Sequence, residues 1–252
     1  MIVSKVTVAA LEKIQDRVYL IKCHSPYLAS TFKPGQFANI KVSEGGFPLL
    51  RRPFSICDID GDEIVFMFAV HGIGTEILSQ KRQGDQLDMI APLGQGFNVS
   101  GDFDTAIIIA GGIGAAPFPL LAKSLSGKRK VTYIGGRTSK DIITYGLEDV
   151  QISTDDGSLG YKGNVVDLFR SELPAYNEKR IKVFACGPNP MLRALQHLLN
   201  SSRIEGEIST ESAMACGFGI CQGCPIEKSV EDGRYLLICK DGPVFNSKDV
   251  VL

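Results

Sequence analysis

The sequence predicts an antiparallel β-barrel, then an α/β domain built on a parallel sheet, then a short C-terminal cysteine segment. Three observations carry this. Residues 1–100 are divided by turn residues into short, alternating, β-rich stretches, the pattern of a barrel. Residues 101–209 alternate short apolar runs with helical patterns, which calls for a parallel sheet covered on both faces. Residues 210–252 hold four of the seven cysteines.

In the first part, Ile2 to Val8, Arg17 to Ile21, Gln36 to Val42, Glu63 to Val70 and Asp85 to Ile90 read as strands. Lys33-Pro34-Gly35, Glu44-Gly45-Gly46 and Asp60-Gly61-Asp62 punctuate them. Gly74 to Arg82 is the exception, a short helix ending at Gly84. In the second part, Ala106 to Ala110, Val131 to Ile134, Val150 to Thr154, Ile181 to Ala185 and Arg203 to Ile208 are strand candidates. Helices are expected after Gly114 to about Leu125, near Val165 to Arg170, and from Met191 to Leu199 with Asn189 as N-cap and Pro190 in the first helical position.

Composition narrows the function classes. The 252 residues suffice for two cores, and 44% hydrophobic with 22% charged residues is ordinary for a globular protein. A net charge of −1 without a basic block leaves no electrostatic footprint for nucleic acid. His24, His71 and His197 are too scattered to suggest a joint metal site. The charged, alternating N-terminus is not a secretory signal. Thr105 to Ala122 carries no charge, but its three glycines and two prolines suit a buried strand, a loop and a helix start better than a membrane span. An odd cysteine count with four in one loop points to a reducing, cytoplasmic setting; Cys23, Cys57 and Cys186 then read as buried thiols.

Cys216, Cys221, Cys224 and Cys239 are spaced C-x4-C-x2-C-x14-C. The first three match the plant-type run that holds a [2Fe–2S] cluster with a distant fourth cysteine. Gly217, Gly219 and Gly223 suit a loop that needs positive φ and close backbone approach, so that amide N–H groups can point at sulfur. Structural zinc also uses four cysteines, usually as two C-x2-C pairs, so a zinc-stabilised binding module is the reading from a different class.

Arg51-Arg52-Pro53-Phe54-Ser55 lies at a barrel strand, where an arginine fork suits a pyrophosphate. Gly72-Ile73-Gly74-Thr75 before a helix offers a second phosphate contact. Gly111-Gly112-Ile113-Gly114 joins a strand to a helix as a dinucleotide turn does, but it is not G-x-G-x-x-G and lacks the acidic residue about 20 positions on. Cys186-Gly187-Pro188 ends another parallel strand, where ligands sit in such sheets. Asp155-Asp156 in the turn Thr154 to Ser158 reads first as a polar turn, and second as an acid/base pair.

Together, R-P-F-S, G-x-G-T, GGIG and CGP-N-P-M resemble the ferredoxin–NADP reductase superfamily. The cysteine run followed by Asp241-Gly242-Pro243-Val244-Phe245 is similar to the iron–sulfur electron-transfer subunits of NAD-linked dihydroorotate dehydrogenases, over essentially the whole chain. The resemblance implies an FAD-binding barrel (1–100), an NAD-binding α/β domain (101–209) and a [2Fe–2S] segment (210–252). It implies FAD at Arg52, Pro53, Phe54 and Ser55, with Phe68, Ala69 and Val70 along the flavin and Gly74 and Thr75 on its phosphates. Gly111, Gly112, Gly114, Cys186, Gly187 and Pro188 would frame NAD(H). Ser55 and Cys186 are the candidate catalytic residues, and the four cysteines the metal ligands. Electrons would pass from NADH through FAD and the cluster to an FMN-containing catalytic subunit, in a cytoplasmic heterotetramer serving pyrimidine biosynthesis. Related reductase subunits of a bifurcating transhydrogenase or a hydrogenase are the alternative.

Overall fold

The computed structural model describes residues 1–230 and 234–252. Its first part is a closed barrel of six strands. These are β1 (Ile2–Gln15), β2 (Val18–His24), β3 (Phe37–Lys41), β4 (Arg52–Asp60), β5 (Glu63–Ala69) and β6 (Gln86–Leu93), in the order β1-β2-β5-β4-β3-β6. Closure comes from β6 returning antiparallel to β1, with Ile2 opposite Ala91. Alternating residues such as Val6 and Val8, Ile21 and Cys23, and Phe66 and Phe68 fill the barrel, as the two-residue period of a strand requires. β1 runs longer than the sequence suggests because it bulges between Val8 and Ala10 and between Lys13 and Gln15. Two short helices interrupt the barrel: α1 (Pro26–Thr31), capped by the Ser25 hydroxyl, and α2 (Ile73–Leu78). The first adds to the expected elements; α2 ends four residues sooner than expected.

The second part contains β7 (Thr105–Gly111), α3 (Phe118–Ser124), β8 (Arg129–Gly136), β9 (Val150–Thr154), β10 (Tyr161–Lys162), α4 (Val165–Glu172), β11 (Ile181–Cys186), α5 (Asn189–Ser202) and β12 (Glu205–Ser209). The uncharged stretch from Thr105 is thus a strand, a 3-10 turn and a short helix, and no helix among the described residues is long and apolar enough to cross a membrane. The cap of α5 is Pro188, one residue before the expected Asn189.

The last part adds β13 (Pro225–Lys228), β14 (Tyr235–Leu237), α6 (Ile238–Asp241), β15 (Val244–Asn246) and β16 (Val250–Val251). β15 joins the preceding sheet, whose order is β10-β9-β8-β7-β11-β12-β15. It pairs antiparallel to β12, Ile208 facing Phe245, so the sheet is parallel with one antiparallel edge. Between barrel and sheet, the buried Lys182 ammonium binds Glu207 at 2.9 Å, Glu205 at 3.1 Å and the carbonyl of Asn98 at 3.0 Å. The other Glu207 oxygen accepts from the Asn98 N–H at 2.8 Å. These bonds pin the connector to the sheet; losing one partner of such a buried pair typically costs about 3–5 kcal/mol.

Candidate functional site

Three clefts meet at His71 on the barrel–sheet boundary. Arg52, Pro53, Phe54 and Ser55 of β4 line the first, with Phe68 and Ala69 of β5 beside them. Cys186 and the stretch Ser209 to Ser212 close it from the sheet side. Phe68 packs edge-on against Phe54 and stacked on Tyr19, which makes one wall apolar and stiff. Val70 does not line the cleft; its carbonyl accepts two bonds from Arg17, at 3.0 and 2.7 Å.

Arg52 continues into the second cleft, shared with Gly74 and Thr75. A Cβ on Gly74 would lie 3.1 Å from Arg52 Nε, so the glycine lets the guanidinium lie against the start of α2. With six residues, α2 builds little macrodipole. The fixed positive charge at this cleft is therefore the Arg52 guanidinium. Thr75 is committed to its own loop: its hydroxyl accepts from His71 and Gly72 N–H groups and donates to the Gly72 carbonyl.

The third cleft, about 650 Å³, lies across the C-terminal ends of the parallel strands. Gly111, Gly112 and Pro188 line it, with Gly135, Gly136, Arg137 and Asp155 farther along. Gly112 takes φ +54, the left-handed conformation that the turn needs. Gly114 and Gly187 do not line the cleft; a Cβ on Gly114 would strike the Cys186 carbonyl, and one on Gly187 would meet Gly111. Their role is close packing of the two strand-end turns.

Burial and the nearby charge of Glu211 push the Cys186 thiol up to about 12, so it is a neutral, packing thiol at pH 7. Glu211 itself is raised by the surrounding walls, against the opposing pull of His71. Neither Glu211 nor His71 stands out in the sequence as a site residue. Glu211 precedes the cysteine loop without a motif, and His71 reads as one of three scattered histidines.

The cysteines come together as two pairs. Cys216 Sγ accepts from the Cys221 N–H, and Cys224 Sγ from the Cys239 N–H, each at 3.5 Å. Among the described residues no set of three or more potential ligands is arranged around one ion. Two thiolate pairs are what two bridged irons require. The donor set thus fits the binuclear cluster. Burial raises the Cys216 thiol, but backbone N–H groups of Cys221, Phe218 and Ile220 and the Cys221 side chain outweigh it and bring it down to about 6. Burial and the neighbouring Cys224 push Cys239 up to about 12. Gly217 and Gly219 take φ +82 and +91. Gly223 does not; the left-handed residue there is Gln222, which is anchored by its amide on the Gly219 carbonyl at 2.8 Å. Cys221 is exposed while Cys224 and Cys239 are buried, so one side of the loop faces outward.

A family model for the iron–sulfur cluster binding domain of dihydroorotate dehydrogenase B matches residues 211–251. The dihydroorotate dehydrogenase B (NAD(+)) electron transfer subunit of Geobacillus thermodenitrificans is 35% identical over 258 residues, covering 98% of each chain. The chain belongs to the family of dihydroorotate dehydrogenase B electron transfer subunits. Another member, from Fusobacterium nucleatum, is 36% identical and covers 97% of this chain and 96% of its own. Among solved structures, an NADH-dependent reduced ferredoxin-NADP oxidoreductase described for flavin-based electron bifurcation aligns with TM-score 0.83 and 26% identity, over 98% of this chain and 89% of that one. Phthalate dioxygenase reductase, at 18% identity and TM-score 0.64 over 93% of this chain and 75% of its own, shares the fold. The family membership agrees with the three-part architecture of barrel, nucleotide-type sheet and cysteine segment.

Proposed function

We propose that this chain carries electrons between NAD(H) and the catalytic subunit of a dihydroorotate dehydrogenase. Three units divide the work: residues 1–100 hold FAD, 101–209 hold NAD(H), and 210–252 hold the [2Fe–2S] cluster. The flavin supplies the conversion between two-electron and one-electron chemistry, and the cluster supplies the one-electron outlet. The protein's part is placement. Arg52 neutralises a pyrophosphate, and Gly74 gives it room. Phe54, Ser55, Phe68 and Ala69 form the wall against which a flat ring lies, and Ser55 offers a hydroxyl along it. Gly111, Gly112 and Pro188 shape the turn that admits the nicotinamide nucleotide, and Cys186 packs on the sheet side of the first cleft.

The cysteine spacing carries this reading, supported by the match of residues 211–251 to an iron–sulfur cluster binding domain. All four positions are cysteine, which favours this function over the bifurcating or hydrogenase-linked subunits. The outward face beside Cys221 includes Ile220 at 75% exposure and the exposed Pro225. Phe218 instead packs on the core. We assign Ile220 and Pro225 to the surface that meets an FMN-containing catalytic partner in a cytoplasmic heterotetramer. The test is the composition of the purified chain: iron and acid-labile sulfide should each reach about two per chain, with one flavin. Zinc without sulfide would end this reading.

A further inference from the structure

We infer that Arg17, at the tip of the β1–β2 hairpin, is a positioning residue for transfer between nicotinamide and flavin, because it fixes the barrel's lip of the nucleotide cleft. The inference rests on the two ligands occupying the adjoining clefts of the proposed function. β1 and β2 turn over Asp16 and Arg17, with Gln15 paired to Val18. Arg17 takes φ +60, a conformation that glycine or asparagine adopts more readily in such a turn. An arginine there calls for a reason, and its side chain supplies one. Nε and Nη2 both donate to the Val70 carbonyl, at 3.0 and 2.7 Å. The Val70 N–H donates back to the Arg17 carbonyl at 2.8 Å. One residue thus holds both polar groups of the Val70 backbone. The next residue is His71, which lines all three clefts and whose own N–H is held by the Thr75 hydroxyl.

The same hairpin tip reaches the sheet's lip of that cleft. The Gln15 amide donates to the carbonyl of Lys140, in the 3-10 turn Ser139–Asp141 whose Asp141 lines the nucleotide cleft. Ile14 packs on the apolar core that Met67 of β5 shares with Ile108 and Ile134 of the sheet. The tip is therefore a strut between barrel and sheet, bonded to a loop of each. Neither Arg17 nor Gln15 lines any of the three clefts, so losing either side chain removes no contact with a ligand. What it changes is alignment. Hydride transfer moves two electrons and a proton in one step, and it needs the reacting atoms roughly 3–3.5 Å apart. A misplacement of about 1 Å can cost about 10²-fold in rate. Binding tolerates a shift of that size far better than the transfer does.

The test is stopped-flow reduction of the flavin-loaded chain over a range of NADH concentrations. Arg17→Met should lower the limiting rate about tenfold or more, while flavin retention and the NADH concentration for half-maximal rate stay within about threefold. Lys13→Met removes only an exposed pair with Asp16, at 3.4 Å in the same hairpin, and should behave as the wild type. Without NADH, amide hydrogen exchange at His71 and Gly72 should quicken several-fold in Arg17→Met. An unchanged limiting rate or unchanged exchange in Arg17→Met would overturn the assignment alone. So would an equal loss of rate in Lys13→Met, or a loss of NADH or flavin binding in Arg17→Met as large as its loss of rate. Failure of NADH to reduce the wild-type flavin would overturn it together with the proposed function.

Discussion

Asn39 of the barrel donates from Nδ2 to the main-chain carbonyl of Cys216 at 3.0 Å, across 177 residues of sequence. Asn39 is wholly buried on β3 and faces Pro53 across the strand pair. A single residue thus touches both the strand that lines the first cleft and the loop that bears the cysteines. Gly217 makes this possible, since a Cβ there would lie 2.5 Å from the Asn39 amide nitrogen. Removing the amide costs about 0.5–1.5 kcal/mol for the bond and leaves the carbonyl short of a partner. Asn39→Leu should therefore lose iron to a chelator several-fold faster than the wild-type chain, followed by the visible absorbance of the cluster. Equal rates would show that the bond does not hold the loop.

Cys221 is the exposed member of its pair. Cys221→Ser should abolish the cluster signal in electron paramagnetic resonance while leaving NADH-driven reduction of a two-electron dye within about twofold. A normal cluster signal in the variant would show that Cys221 is not a ligand.

Arg52 lines the cleft proposed for the flavin's pyrophosphate. Arg52→Ala should weaken flavin retention by about 1.5–3 kcal/mol, the usual worth of a charged hydrogen bond. Fluorescence of flavin released on dilution measures it. Gly74→Ala should act in the same direction, because its methyl group would press on the guanidinium at 3.1 Å.

Burial, with the charge of Glu63 adding to it, pushes the Cys23 thiol up to about 12 in the folded barrel, from an ordinary value of 9.0. Its folded value is raised, so the stability that it contributes is fully present below pH 9 and is lost as pH rises toward 12. The melting temperature should fall between pH 9 and 11, and the fall should be shallower in Cys23→Ala. Parallel pH curves for the two proteins would contradict the shift.

Much of the fold is legible in the sequence because it is local. The apolar, β-rich runs at Glu63 to Val70 and Ala106 to Ala110 each declare a strand, and the cysteine spacing declares its own chemistry. What escapes depends on distant pairing. Val244 to Asn246 gives no sign of being the antiparallel edge of another unit's sheet. Val70 reads as lining the cleft beside Phe68 and Ala69, but it lies outside that lining, with its carbonyl bonded by Arg17. Gly223 resembles its neighbours Gly217 and Gly219, but the left-handed turn falls on Gln222, whose side chain can anchor it. Glu211 and His71 acquire meaning only once the barrel and the cysteine segment face each other across one cleft.

The most direct test of the electron-transfer role is an assay of dihydroorotate oxidation coupled to NAD⁺ reduction. Oxidising that ring needs a base against one carbon and a flavin against its neighbour in one enclosed pocket. The cleft proposed for the flavin adjoins the one proposed for the nucleotide through His71 and Ile113, so on that reading the flavin faces the nicotinamide. The purified, cofactor-loaded chain should show no turnover alone, and turnover should appear when the catalytic subunit from the same source is added. Activity in the isolated chain would contradict the account, and so would no gain on adding a folded, flavin-loaded catalytic subunit.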